Sequence, residues 1–235
     1  MSFGQEVRYP AAPPDARGVI FAVDGAGGFH AMSDSLREAI ALEKAPLGIE
    51  PVIWSHGLGR VLFDHTDWCH AREEGQRLAA QVAVYRQSYP NRAVHIMAHS
   101  AGCAVALTAA EMLPPHSLDR LVLVAPTVSA GYDLRSALRA CRGGLEVYYS
   151  SRDMAFLGLG IAILGTADRH WESAAGRVGF RPQNETPEDA ALFTRLHQHP
   201  WDACLSWTGN RGGHYGGHAV NYLRIYVLPM LVPTD

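Results

Sequence analysis

The stretch Ala93-Val94-His95-Ile96-Met97-Ala98-His99-Ser100-Ala101-Gly102 decides how this chain reads. Val94, Ile96 and Met97 make an apolar run of strand length that meets a small-x-Ser-x-Gly turn. From Cys103 to Leu113 a long apolar pattern follows, with Glu111 its one charge, and Pro114-Pro115 stops it. The pattern predicts a strand feeding directly into a buried helix. A chain that turns this sharply leaves its central residue at the carboxyl edge of a sheet, with the side chain pushed outward and the next backbone amide aimed at the same space. The small residues Ala98, Ala101 and Gly102 let strand and helix approach that closely. As a five-residue string the motif is weak, and its specificity comes from this context.

Working outward, apolar runs alternate with helical patterns from Gly18 onward. Gly18 to Val23 reads as a buried strand ending in Asp24-Gly25-Ala26-Gly27-Gly28. Ser35-Leu36-Arg37-Glu38 reads as the capping box of a helix closing at Pro46. Pro51 to Trp54 is a second strand, and a helix is expected from about Trp68 to Tyr89 with Leu78, Val82 and Tyr85 on one face. Leu121 to Val124 and Leu145 to Tyr149 supply two more strands, with a short helix around Leu134 to Cys141 between them. A weak sixth strand is expected near Ala203 to Trp207, and a last helix from about Ala219 to Leu228. Strands spaced by helices predict a single α/β domain: a mostly parallel sheet of about six strands, flanked by helices on both faces. Residues 154–200 are the longest stretch without an assigned place and are expected to form a small lid or insertion.

Composition narrows the function. The chain has 235 residues, 48% hydrophobic and 18% charged, with a formal net charge of -3, so nothing in it favours nucleic acid as a partner. The amino terminus lacks the charged start, apolar core and cleavage site of a signal peptide, and no stretch is long and apolar enough to span a bilayer. The four cysteines, Cys69, Cys103, Cys141 and Cys204, are scattered without a C-x-x-C pair, which points to reduced thiols in the cytoplasm. No motif for a nucleotide cofactor is present. His65, Asp67, Cys69 and His70 match no zinc spacing, so neither cofactor nor metal is expected.

A serine hydroxyl becomes a nucleophile when a base takes its proton and an acid holds that base. Parallel sheets gather such groups in the loops at the carboxyl ends of their strands. For the acid, Asp153 follows the Tyr149 strand end, with Asp133 as competitor. For the base, His214 lies in a glycine-rich loop before the last helix, with His218 as competitor. This order of serine, aspartate and histidine, around Ala98-His99-Ser100-Ala101-Gly102, resembles the α/β-hydrolase superfamily along most of the chain. Ala98 stands where glycine is usual, as alanine does in some bacterial lipases of that superfamily.

The resemblance implies a serine hydrolase acting on small-molecule carboxylic esters, esterase- or lipase-like, with Ser100 as nucleophile, Asp153 as acid and His214 as base. It also implies an oxyanion hole from the amides of Ala101 and Ala26, with Gly27 in reserve for the latter, because Asp24 to Gly28 looks like the superfamily's His-Gly-x-x-Gly loop. Gly27 and His99 are expected beside the substrate. The other readings are a thioesterase or acyltransferase using the same residues, and a silent scaffold that binds a ligand or partner. His56-Gly57-Leu58-Gly59 reads as a cleft wall or plain turn, Cys103 as packing, and Met154 to Leu164 as a buried helix or an apolar lid.

Overall fold

A strand places successive side chains on opposite faces, and the central strands of this chain are apolar on both. In the computed structural model, which describes residues 16–154, 164–183 and 185–233, six strands form one sheet. They are β1 (Gly18–Val23), β2 (Leu47–Pro51), β3 (Ala93–His99), β4 (Arg120–Val124), β5 (Leu145–Tyr149) and β6 (Leu196–Pro200). Every neighbouring pair is parallel, in the order β2-β1-β3-β4-β5-β6.

Alternation divides the core in two. Val94, Ile96 and Ala98 of β3 face α3 (Trp68–Ser88), α4 (Gly102–Met112) and α5 (Arg135–Ala140). Met97 faces α1 (Ala31–Glu43) and the closing helix, together with Ile20 and Ala22. The closing helix runs through Val220–Tyr222, a π-helical stretch Leu223–Val227 and Leu228–Leu231. Because β2 and β3 flank β1 on opposite sides, the loops after β1 and β3 leave toward opposite faces. A crevice therefore opens between them at the carboxyl edge, the place where open parallel sheets bind ligands.

Several boundaries differ from the sequence reading, each for a tertiary reason. The first helix begins at Ala31, not at Ser35. Its free amides are satisfied from a distance by the buried Asp24 carboxylate, which accepts from the backbone of Met32 (2.8 Å) and Ser33 (3.2 Å) and from the Ser33 hydroxyl. That helix ends at Glu43, with Lys44 in the left-handed conformation. The second strand is Leu47–Pro51; Val52 amide still bonds to Ala22, but Trp54 turns inward so that its indole donates to the Asp24 carbonyl at 2.8 Å.

The sixth strand is Leu196–Pro200, inside the expected lid, while Ala203–Thr208 winds into a 3-10 helix capped by Asp202. An edge strand reading Leu-His-Gln-His-Pro lacks the apolar signature. Its two histidines instead bond to Glu146, a buried residue of β5, at 2.9 and 2.8 Å. Over residues 167–176 the chain lies across the strand ends: Ala167, Ala175 and Gly176 amides donate to the carbonyls of Thr127, Val128 and Pro126. Of the Met154 to Leu164 stretch, residues 155–163 lie outside the described residues. Among the described residues no helix is long and apolar enough to cross a membrane.

α3 and α4 cross closely, where Gly75 meets Thr108. A Cβ on Gly75 would stand 2.6 Å from the Thr108 Cβ and 2.9 Å from the Val105 carbonyl oxygen. Gly75→Val is therefore expected to destabilise the protein by on the order of 3 kcal/mol, since overpacking a rigid backbone contact has no cheap relaxation. Urea denaturation checks this, and an unchanged midpoint would contradict the packing described.

Candidate active site

The turn after β3 is as tight as the sequence implies. Ser100 has φ +54°, a left-handed conformation uncommon for a residue with a side chain. It is held by its amide, which donates to the Val124 carbonyl at 3.0 Å, and by its carbonyl, which accepts from Cys103 at 3.1 Å. Gly102 permits the close approach: a Cβ there would collide with the backbone carbonyl oxygens of Asp24 and Val23, the latter at 2.7 Å.

Two distant loops deliver the partners of this serine. Asp153 follows β5 in a turn fixed by its own amide donating to the Ser150 carbonyl at 3.2 Å, while the Ser150 amide donates to Gly176 at 2.9 Å. His214 rides on the loop before the closing helix. There Gly212 (φ +76°) crosses the Trp201 ring so closely that a Cβ would lie 2.7 Å from it. His214 Nδ1 donates to Asp153 Oδ2 at 2.6 Å, and its Nε2 faces Ser100 Oγ at 2.9 Å. The carboxylate accepts from Nδ1, so Nε2 is left as the acceptor for the serine proton. All three residues are buried, with Ser100 7% exposed.

The competing residues sit elsewhere. Asp133 is exposed and paired with Arg135. The His218 ring lies edge-on to His99 with centroids 4.1 Å apart, and its Nε2 is buried without a partner among the described residues. Cys103 is wholly enclosed in the core, and burial pushes its thiol up, away from the reactive thiolate.

Of the two residues expected beside the substrate, His99 is only 2% exposed and its Nε2 donates to the His214 carbonyl at 3.1 Å. It braces the backbone of the histidine loop from beneath. The Gly27 amide donates to Asp64 Oδ2 at 2.7 Å, so it is already engaged. Ala26 is half-buried in the Gly25–Gly28 turn, and a Cβ on the neighbouring Gly25 would touch the Ser100 Cβ at 3.2 Å. Ala26 and Ala101 thus flank the serine from the ends of β1 and β3.

The stretch considered for metal binding is differently employed. His65 Nε2 donates to the Gly165 carbonyl, Asp67 caps α3 through the His70 amide, and His70 Nε2 donates to the Trp54 carbonyl. Among the described residues no three His, Cys, Asp or Glu side chains converge as a metal ion would require. Asp64, next to this stretch, carries four hydrogen bonds of its own. No local pattern marks it, because its partners lie in two other loops.

Comparison with solved structures finds the same architecture elsewhere. An esterase from Pyrococcus furiosus matches at 12% identity and a TM-score of 0.53, over 92% of this chain and 82% of that one. Lipase B from Aspergillus fumigatus matches at 14% identity and a TM-score of 0.51, over 96% of this chain and 56% of that one, so this chain spans little more than half its length. No family model matches the sequence, and no curated protein matches it either. At these identities the likeness is one of fold alone.

Burial keeps three histidines neutral, His99 and His218 beside His214 and His95 further down β3. His95 and His218 are pushed down to about 4, chiefly by burial, and His99 well below its usual range by burial and the neighbouring His218 and His214. Unfolding restores ordinary values near 6.5, so below that pH the unfolded chain binds more protons than the folded one. The stability these groups allow is complete above about pH 7 and is lost as pH falls from 6.5 toward 4. At pH 5 the loss is about 2 kcal/mol each for His95 and His218. Urea midpoints measured between pH 7.5 and 5 should fall accordingly; a flat profile would show that these rings are not buried neutral.

Proposed function

We propose that this protein is a serine hydrolase that cleaves carboxylic esters through an acyl-enzyme. The observation that carries the reading is the unbroken hydrogen-bond line from Ser100 Oγ through His214 to Asp153, at 2.9 and 2.6 Å. In this reading Ser100 Oγ bonds to the ester carbonyl carbon as its proton passes to His214 Nε2, and the carbonyl electron pair moves onto oxygen. Asp153 keeps the His214 ring in the required tautomer and stabilises the imidazolium that forms. The oxyanion is met by the amides of Ala26 and Ala101, each supplied by a loop at the crevice between β1 and β3. Collapse expels the alcohol, which takes the proton from Nε2; water then repeats the sequence on the acyl-serine and releases the acid.

Local surroundings support an apolar substrate group. Phe29 and Val61 stand beside the Gly25–Gly28 turn and are 49% and 40% exposed, and Tyr215, directly after the base, is 53% exposed. Fold likeness to an esterase and a lipase is consistent with the same chemistry.

The test is a series of p-nitrophenyl esters of increasing acyl length, run with wild type and with Ser100→Ala, His214→Ala and His218→Ala. Expected losses in kcat are roughly 1,000-fold or more for the first two variants, and within about tenfold for His218→Ala. Equal turnover by wild type and Ser100→Ala, or a greater loss from His218→Ala than from His214→Ala, contradicts the assignment.

A further inference from the structure

An oxyanion hole made of backbone amides works only if those amides stand still, and a loop of three glycines and an alanine does not hold itself. Its anchor lies in α2 (Val61–Thr66), a short helix whose Val61, Leu62 and Phe63 are exposed while Asp64 turns inward and is 2% exposed. Asp64 Oδ2 accepts from the Gly27 amide at 2.7 Å and the Ser55 hydroxyl at 2.6 Å. Its Oδ1 accepts from the His56 amide and the His56 Nδ1, both at 2.8 Å. Burial works to raise the carboxyl, but these four donors outweigh it and hold Asp64 below the usual carboxylate range.

Four donors converging on one side chain require a group that only accepts, which an ionised carboxylate does and a carboxamide does not. The Gly59 amide adds a second tie, donating to the Gly27 carbonyl at 3.1 Å. Gly27 and Gly28 are both left-handed, at φ +95° and +69°, so the loop turns sharply at the point where it is tied. With the Gly27 amide committed to Asp64, the Ala26–Gly27 peptide plane is fixed, which limits how far the adjoining Gly25–Ala26 plane, the one that carries the Ala26 amide, can turn.

We infer that Asp64 is a positioning residue of the oxyanion hole, orienting the Ala26 amide by gripping Gly27 and bracing it against Ser55 and His56. This role rests on the ester-hydrolase reading above. The substitution Asp64→Asn puts an NH2 group against either the Gly27 amide and Ser55 or the His56 donors, so one side of the brace is lost. Ser55→Ala removes a single donor and is the milder variant should Asp64→Asn fail to fold.

The experiment measures kcat and KM on a p-nitrophenyl ester, and Ki for an alkyl trifluoromethyl ketone, which forms a tetrahedral oxyanion adduct with the serine. Each protein is confirmed folded by circular dichroism. Asp64→Asn should lower kcat by roughly 10- to 100-fold and raise Ki by a similar factor, with KM changed less than about threefold. Ser55→Ala should move kcat and Ki in the same direction by about threefold. Folded variants with wild-type kcat, or a fall in kcat without a rise in Ki, overturn the positioning role alone. If Asp64→Asn does not fold, Ser55→Ala decides by the same criteria. A wild-type protein that turns over no ester overturns the hydrolase reading and this role with it.

Discussion

The close approach of Gly102 to the carbonyls of Val23 and Asp24 is the constraint on which the rest of the site depends. It lets α4 start directly beneath the end of β1, and that in turn forces Ser100 into the left-handed conformation at φ +54°. Such a conformation costs on the order of 1 kcal/mol for a residue with a side chain, and it is held by backbone bonds to Val124 and Cys103. The hydroxyl is thereby pinned at the edge of the sheet with little freedom. Each other group need only be brought to a fixed point.

Those groups are brought by buried carboxylates and neutral imidazoles acting as loop fasteners. Asp24 caps the start of α1, Asp64 ties the Gly25–Gly28 turn to the loop after β2, and Asp168 accepts from the Ser129 amide and hydroxyl at 2.9 and 2.5 Å. His99 props the His214 loop from below. Each satisfies backbone amides or carbonyls that a loop would otherwise leave unmet in a dry interior. His99 also ties stability to pH, because this buried neutral histidine must gain a proton when the chain unfolds in acid.

Much of this was legible in the sequence because the controlling signals are local. The apolar run into Ala98-His99-Ser100-Ala101-Gly102 specifies strand, turn and helix within one stretch, and the strand ends at Tyr149 and the glycines around His214 mark the loops that reach it. What stayed hidden depends on partners far along the chain. β6 is polar because His197 and His199 answer a buried Glu146, so it carries no apolar pattern. α1 starts early because its cap is Asp24, outside the helix. Asp64 resembles any helical aspartate until Gly27, Ser55 and His56 meet it in space. His99, next to the serine in sequence, reads as a substrate contact, yet strand alternation turns it beneath the histidine loop.

The most direct measurement is labelling of the intact protein with an alkyl fluorophosphonate, followed by peptide mass mapping of the modified residue. The account predicts one adduct, on Ser100, which is lost in Ser100→Ala and strongly slowed in His214→Ala. A folded wild-type protein that does not label, or one whose label falls on another residue and survives Ser100→Ala, would contradict it.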